Sequence, residues 1–510
     1  MLARRSACTE LSRSAAQGSP NARPSPSTLL LRAWRNLVEL RTDEASSNIE
    51  KFADAVAHAE GPAATQSREL AGLLRAILLV LTSYDAATVR SALAVLEKRH
   101  RSATKNSAVA AMLRIGYWKM GDFDRYYAVP HGRHAVAAHR GTHGLANIIG
   151  TAFEAIVEAE QLRLPVATRL ARKSHERSLI RFGKRSPVTA RAAMVLAELL
   201  YEEGHCTGLQ SLVMDSLATV RISGDGETAL RGYRVLVRLA VRRRDGEFAF
   251  LILREAEVLA AARSWTTMLA QIWLLRTQLL LKEGRPRDAA LCARRIEALA
   301  RGQSSSLDDT LRSSHALAHA QVLTVAGEPR RAAAVLRELQ AVSCGKRNNY
   351  RALQLSVHLA DALLASGDHA EGRAILIQSL QVGARAGVHQ TFVDAGAHVG
   401  EQMGSFHHAA AHDNRLPTEL RPYIGSILAD RAQSNLAVSP SRVSRVTESL
   451  SPREHSILRL LSRGLSNKRV AQELQIAPET VKSHVKGIFS KLAVQTRAHA
   501  VSTASALGIL

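Results

Sequence analysis

Along most of the 510-residue chain, apolar side chains return every three to four positions, the period of helices that bury one face. Few stretches alternate with the two-residue period of a half-buried strand, so the pattern predicts an all-α protein. A second regularity runs from about residue 100 to 375, where an apolar helix is repeatedly followed by a glycine. The glycines are Gly121, Gly204, Gly246, Gly284, Gly327 and Gly367, separated by 83, 42, 38, 43 and 40 positions. The first gap is two periods, and the absent copy falls near Arg163, in EAEQLRLPVA, where there is no glycine. A period near 40 predicts helix pairs stacked as a solenoid, each pair covering the apolar face that its neighbour leaves open.

The turn explains the glycine, because a left-handed residue ends a helix and glycine adopts that conformation without steric cost. Four positions before it stands Leu200, Leu280, Leu323 or Leu363. Five positions after it, in the last three copies, stands Ala289, Ala332 or Gly372. A large residue facing a small one lets paired helices approach closely. Beyond Gly404 the pattern lapses into SFHHAAAHDNRLP. A helix is predicted over 418–432, and SNLAVSPSRVSRVTES is predicted to be a tether.

The last sixty residues are punctuated differently. Ser451-Pro452-Arg453-Glu454 has the form of a capping box with proline at the first helical position. The helix it opens runs through Ile457, Leu460 and Leu461 to a stop at Gly464. Ser466 caps a second helix with Val470, Ala471 and Leu474 on its inner face, Pro478 opens a third, and Thr496 caps a fourth that ends near Gly508. In the third helix Val481, Val485, Ile488 and Leu492 form one stripe, and Lys482, Ser483 and Lys486 lie on another side. A short helix with one buried stripe and Lys-Ser-x-x-Lys outward suits the major groove, where lysine donates to guanine and serine pairs with several base edges. Lys468, Arg469 and Lys491 are placed to meet phosphate.

Charge strengthens this picture only modestly. The net charge is +23, a surplus that favours polyanions. However, 56 of the 68 basic residues are arginines spread along the whole chain. Residues 449–510 are more telling, with nine basic residues against three acids. The four cysteines are far apart and form no zinc pair, as suits a reducing cytoplasm. No apolar run approaches the 18 residues of a membrane span. The first 28 residues, rich in Arg, Ser and Pro, are expected to be disordered and lack the apolar stretch of a secretory signal.

The last three repeat copies resemble the tetratricopeptide-like repeats of MalT-type regulators, and Gly383–Met403 resembles the segment closing that repeat domain. Residues from LSPREHSILRLL to TRAHAV resemble the LuxR-type helix-turn-helix over its full length. The landmarks include Glu454, Gly464, Ser466, Asn467, Ala471, Thr480, Val481, Lys482, His484, Lys491, Leu492 and Arg497. The resemblance implies base contacts from Lys482, Ser483 and Lys486. It also implies phosphate contacts around the second helix (Ser466, Asn467, Lys468, Arg469) and from Thr480. Dimers formed largely through the fourth helix, on two half-sites of double-stranded DNA, are implied as well. Two departures stand out: Arg469 replaces the usual glutamate, and Ala477 stands where many members have a capping serine.

MalT-like regulators typically carry an ATPase ahead of the repeats. No G-x-x-x-x-G-K-[ST] occurs here, since Gly345-Lys346 lacks the upstream glycine and is followed by Arg347. Neither histidine group (His131, His134, His139 and His143; His407, His408 and His412) has a metal-ligand spacing with carboxylate or cysteine. No catalytic constellation, cofactor or metal is expected. The organisation expected is a disordered segment (1–28), a repeat solenoid (29–403), a terminal helix and linker (404–448), and a helix-turn-helix domain (449–510). Its expected function is a DNA-binding transcription regulator whose solenoid receives an effector or partner. An interaction scaffold with a secondary DNA-binding domain is the alternative.

Overall fold

In the computed structural model, the described residues are 24–38, 41–83, 86–102, 107–129, 143–223, 225–301, 307–345, 347–409, 420–436, 451–462, 464–491, 497, 500–501 and 504. Among them there is no strand. The all-α expectation holds, because Ala- and Leu-rich segments with a one-sided apolar face favour helix over sheet. Residues 1–23 and 437–450, expected to be a disordered tail and part of a tether, lie outside the described residues, as do His131, His134, His139 and His412.

Six helices open the array: α1 (Pro26–Val38), α2 (Thr42–Ala57), α3 (Pro62–Thr82), α4 (Ala86–Ser102), α5 (Ser107–Lys119) and α6 (Phe123–Ala128). The first starts at Pro26, just inside the segment expected to be disordered, because Leu29 and Ala33 are buried by its neighbours. Next come α7 (His143–Glu160), α8 (Leu164–Phe182), α9 (Pro187–Glu202) and α10 (Leu209–Ser223). The regular part follows as α11 (Gly226–Arg242), α12 (Gly246–Ala262), α13 (Thr266–Lys282), α14 (Pro286–Arg301), α15 (Leu307–Val325), α16 (Pro329–Gly345), α17 (Asn349–Ala365) and α18 (His369–Ala386). The short α19 (Gln390–Val393), α20 (Ala397–Ala409) and α21 (Leu420–Leu436) close the array. Most helices pack on the next and often on the one after, as in a solenoid.

The turns refine the repeat. Helices α11 to α14 begin at 226, 246, 266 and 286, and α16 to α18 at 329, 349 and 369, so the unit is a single helix every 20 residues. A left-handed residue follows α11, α12, α13, α15, α16, α17 and α18 in turn: Arg244 (φ 56°), Ser264 (φ 53°), Gly284 (φ 70°), Gly327 (φ 85°), Arg347 (φ 53°), Gly367 (φ 85°) and Gly387 (φ 76°). The bonding is a Schellman motif. Asp245 N–H reaches the Ala240 carbonyl at 3.0 Å and Arg244 N–H the Val241 carbonyl at 2.9 Å. The same pair of bonds recurs at Arg285, on Leu280, and at Asp368, on Leu363. The leucine four positions before the glycine is therefore the residue whose carbonyl takes the bond spanning five residues. Gly246 is not a turn residue: it opens α12 behind the capping Asp245, and a Cβ on it would come within 2.8 Å of Glu283 Oε1. The copy without glycine is real, with Leu162 (φ 59°) left-handed and Arg163 N–H bonded to Glu158 O at 2.9 Å.

The large-on-small pairing also holds. Leu280, Leu323 and Leu363 are buried, Ala289 and Ala332 are fully enclosed, and a Cβ on Gly372 would lie 3.0 Å from Leu364 Cγ. Beyond Gly404, α20 continues to Ala409, with Met403 fully buried, so His407 and His408 sit on its last turn rather than in a loop. The lapse in pattern arises because only one side of α20 packs.

The array closes on itself. Leu164, from α8, is buried in one core with Leu380, Phe392, Val399 and Ile424. Glu202, at the end of α9, accepts the Thr391 N–H at 2.8 Å and the Tyr350 hydroxyl at 2.6 Å, and its carbonyl accepts His389 N–H at 3.0 Å. Tyr201 donates to Asp394 at 3.0 Å. These contacts, roughly 150 to 190 residues apart in sequence, join the middle of the chain to its closing segment.

Candidate functional site

The C-terminal unit is built from α22 (Pro452–Ser462), α23 (Asn467–Glu473) and α24 (Pro478–Lys491). The capping box forms as read: Glu454 N–H donates to Ser451 Oγ at 3.2 Å, and Ser451 N–H to Glu454 Oε2 at 2.7 Å. Gly464 (φ 83°) ends the first helix and Ser466 caps the second, its hydroxyl accepting Arg469 N–H. The tight turn uses Gln475 (φ 52°), with Ile476 N–H on the Ala471 carbonyl at 3.0 Å. Ala477 has no side-chain acceptor for the next helix, although its carbonyl receives Thr480 and Val481 N–H.

Ile457, Leu458, Leu461, Val470, Val481 and Ile488 form the core with Ala500 and Ala504. Val485 is half-buried at its edge, and Leu492 and Thr496 lie outside the described residues. Away from that core, Lys482, Ser483 and Lys486 are exposed on one face of α24, with Thr480 exposed nearby at its start. Lys468 and Arg469 are exposed on α23, Asn467 is half-buried, and Ser466 is exposed with its hydroxyl engaged in the cap. Lys491 ends α24, and its side chain is outside the described set. Lys482 Nζ pairs with Glu479 Oε1 at 2.8 Å, both side chains well exposed.

Three braces escaped the sequence reading. Arg497 donates to the Leu461 carbonyl at 3.0 Å and also to that of Leu465, tying this residue to the end of the first helix. Arg453 reaches the Leu474 carbonyl at 2.6 Å, fixing the start of α22 to the helix-turn-helix corner. A Cβ on Gly487 would come within 3.3 Å of Glu454 Oε1, so α24 lies close over the capping box. Only the arginines' side-chain length hints at such contacts in a sequence.

The solenoid encloses a second candidate, a cavity of about 1120 Å³ lined by residues from the start of α2 to Gly396, just before α20. Its charged wall is mostly paired: Arg191 with Asp225 at 2.6 Å, Arg231 with Glu227 at 2.7 Å, and Glu198 shared between Arg231 and Arg234. Burial raises the carboxyls of Glu198 and Asp225, but Arg231 and Arg234 for one, and Arg191 and the Thr228 hydrogen bonds for the other, outweigh it. Both are held at about 2. Glu160 differs: burial pushes its carboxyl up to about 7, although the Trp118 indole donates to it at 2.6 Å. Burial also lowers Lys119 to about 8, with its ammonium on the Leu81 and Ser83 carbonyls. Among the described residues no group of three or more His, Cys, Asp or Glu side chains is placed to hold a metal ion. No helix among them is long and apolar enough to cross a membrane.

Comparison with known proteins agrees with this two-part geometry. Residues 74–408 match the MalT-like TPR region, and residues 448–504 match the bacterial regulatory proteins of the luxR family. The nitrate/nitrite response regulator protein NarL of Escherichia coli K12 is 36% identical over 98 residues, 19% of this chain and 42% of NarL. The HTH-type transcriptional regulator MalT of Vibrio parahaemolyticus is 28% identical over 162 residues, 29% of this chain and 18% of MalT. The chain thus spans less than half the length of these curated relatives. A crystal structure of a Rap protein complexed with competence and sporulation factor overlays 94% of this chain and 99% of its own, at 9% identity, but the TM-score of 0.31 is too low to support an argument. With two thirds of its length inside one family's match, this chain belongs to the MalT-like TPR family and carries a luxR-family helix-turn-helix at its C-terminal end.

Proposed function

We propose that the protein is a sequence-specific DNA-binding transcription regulator whose solenoid receives an effector or partner. The observation carrying this reading is the division of α24 into a buried stripe (Val481, Ile488) and an exposed face with Lys482, Ser483 and Lys486. In this reading α24 enters the major groove, with those three side chains at base edges. Ser466, Asn467, Lys468, Arg469, Thr480 and Lys491 meet the flanking phosphates and set register. Two copies bind two half-sites, and the protein acts in the cytoplasm, where bacterial DNA lies.

A gel-shift titration of the full chain against a random duplex pool, followed by selection and sequencing, tests this. Recovery of one enriched motif, bound far more tightly than competitor DNA and with steep salt dependence, supports it. Binding no tighter than to unselected DNA overturns it and leaves an interaction scaffold.

A further inference from the structure

The solenoid cavity is not uniform. On its wall, Arg231, Arg234 and Arg238 stand at i, i+3 and i+7 of α11, and Arg351, Gln354 and His358 at i, i+3 and i+7 of α17. Four guanidinium groups therefore line this cavity, with Arg351 in electrostatic reach of Arg234 and Arg238. Glu198 serves two of them, and Arg238 lies 5.7 Å over the Tyr201 ring, whose hydroxyl binds Asp394. The carboxylate of Glu202 is occupied by Tyr350 and Thr391. Arg351 is left over: among the described residues its guanidinium makes no hydrogen bond and no ion pair.

Arg351 is half-buried and lines the cavity, and a guanidinium in such a place without a counter-ion is costly, since such groups are normally paired. Its neighbours make the position worse. Burial, then Arg234 and Arg238, lower the Arg351 guanidinium to about 10; burial, then Arg351 and Arg238, lower His358 to about 4, so His358 is neutral at pH 7. Beside them Gln321 Oε1 is buried with no donor, although its Nε2 lies 3.5 Å from His358 Nε2. The empty places thus call for an oxyanion against Arg351 and a hydrogen-bond donor against Gln321.

We propose that this part of the cavity binds a small organic molecule carrying a phosphate or carboxylate group, with Arg351 as its principal anchor and Gln321 accepting from a neighbouring hydroxyl or amine. The cavity volume is ample for a metabolite, at or above the usual range of about 300–1,000 Å³ for small-molecule sites. This inference rests on the reading of the solenoid as the effector-receiving part, but its test does not pass through DNA.

All four tryptophans (Trp34, Trp118, Trp265, Trp273) precede residue 274, so intrinsic fluorescence melting of the full chain reports the solenoid alone. Inorganic phosphate and acetate are titrated at ionic strength held constant with potassium chloride, on wild type, Arg351→Gln, Arg351→Lys and a surface control, Arg301→Gln. The expected result is a saturable rise in Tm of at least about 2 °C with one of the two anions. The rise survives in the control, is reduced in Arg351→Lys and is absent in Arg351→Gln. Which anion acts separates a phosphoryl from a carboxylate ligand. Arg351→Gln should also melt higher than wild type without anion, because an unpaired charge has gone. An equal anion response in wild type and Arg351→Gln, no saturable response in wild type, or a lower Tm for anion-free Arg351→Gln would each overturn the proposal by showing a guanidinium content with water. Loss of DNA recognition alone would leave these melting results unchanged.

Discussion

Lys482 is held by Glu479 across one turn of α24, an exposed pair of the kind worth at most about 1 kcal/mol. Under the proposed function, such a weak pair would yield readily to a duplex. Replacing Lys482 and Lys486 together by Ala should lower specific affinity at least about tenfold and reduce the salt slope by about two. Far-UV circular dichroism and the melting curve should stay unchanged, because both side chains are exposed. Val481→Asp should instead unfold the C-terminal unit, since it places a charge in a fully enclosed position. Glu160 provides a pH signature for the cavity. Its folded value of about 7 lies above the ordinary 4.5, so the stability it contributes is fully present below pH 4.5 and is lost as pH rises through 7. Glu160→Gln should therefore melt higher than wild type above pH 7, by the equivalent of about 1–2 kcal/mol after screening by cavity water, and match it near pH 4.5. Equal melting at pH 8 would rule out the raised carboxyl. At this scale the exposed face of α24 was legible because helical spacing separates Val481 from Lys482 directly. Arg497 and Arg453 were not, because which carbonyl a long side chain reaches depends on packing between helices.

The element that organises this protein is one helix with its left-handed terminator. Where that terminator is Arg244, Ser264 or Arg347 rather than glycine, the backbone carries a left-handed cost of about 1–2 kcal/mol. Ser264 is exposed, so Ser264→Gly should raise stability by about 0.5–1 kcal/mol, read from chemical denaturation. Glycine marks mainly alternate turns, which is why the chain showed a 40-residue period and concealed the 20-residue one. A different signal was available: Asp122, Asp245, Asn348 and Asp368 each follow the terminator and cap the next helix. Reading terminator and cap together would have found Arg244 instead of Gly246. Leu162 carried no such cue, since Arg163 after it offers no side-chain acceptor.

Over the whole molecule, the decisive feature is the closure of the array through Glu202. Helical periodicity could announce a solenoid, but not that its middle would meet its end, because contacts between residues nearly two hundred positions apart leave no local pattern. Glu202→Ala removes the acceptor for Tyr350 and Thr391 and should cost about 2–4 kcal/mol in the solenoid. Hydrogen exchange should accelerate at the His389 and Thr391 amides while α12 and α14 stay protected; uniform protection would contradict the role assigned to the seam. The seam also grips α21. Asp430 meets His389 at 3.0 Å and Arg242 at 3.3 Å, and Arg431 holds the carbonyls of Phe392, Val393, Ala395 and Gly396. That helix is the last described before the one opened by Ser451. It is therefore a strut bolted to the ring's fastening, so any loosening there would tilt the mooring point of the downstream chain without first travelling through twenty helices.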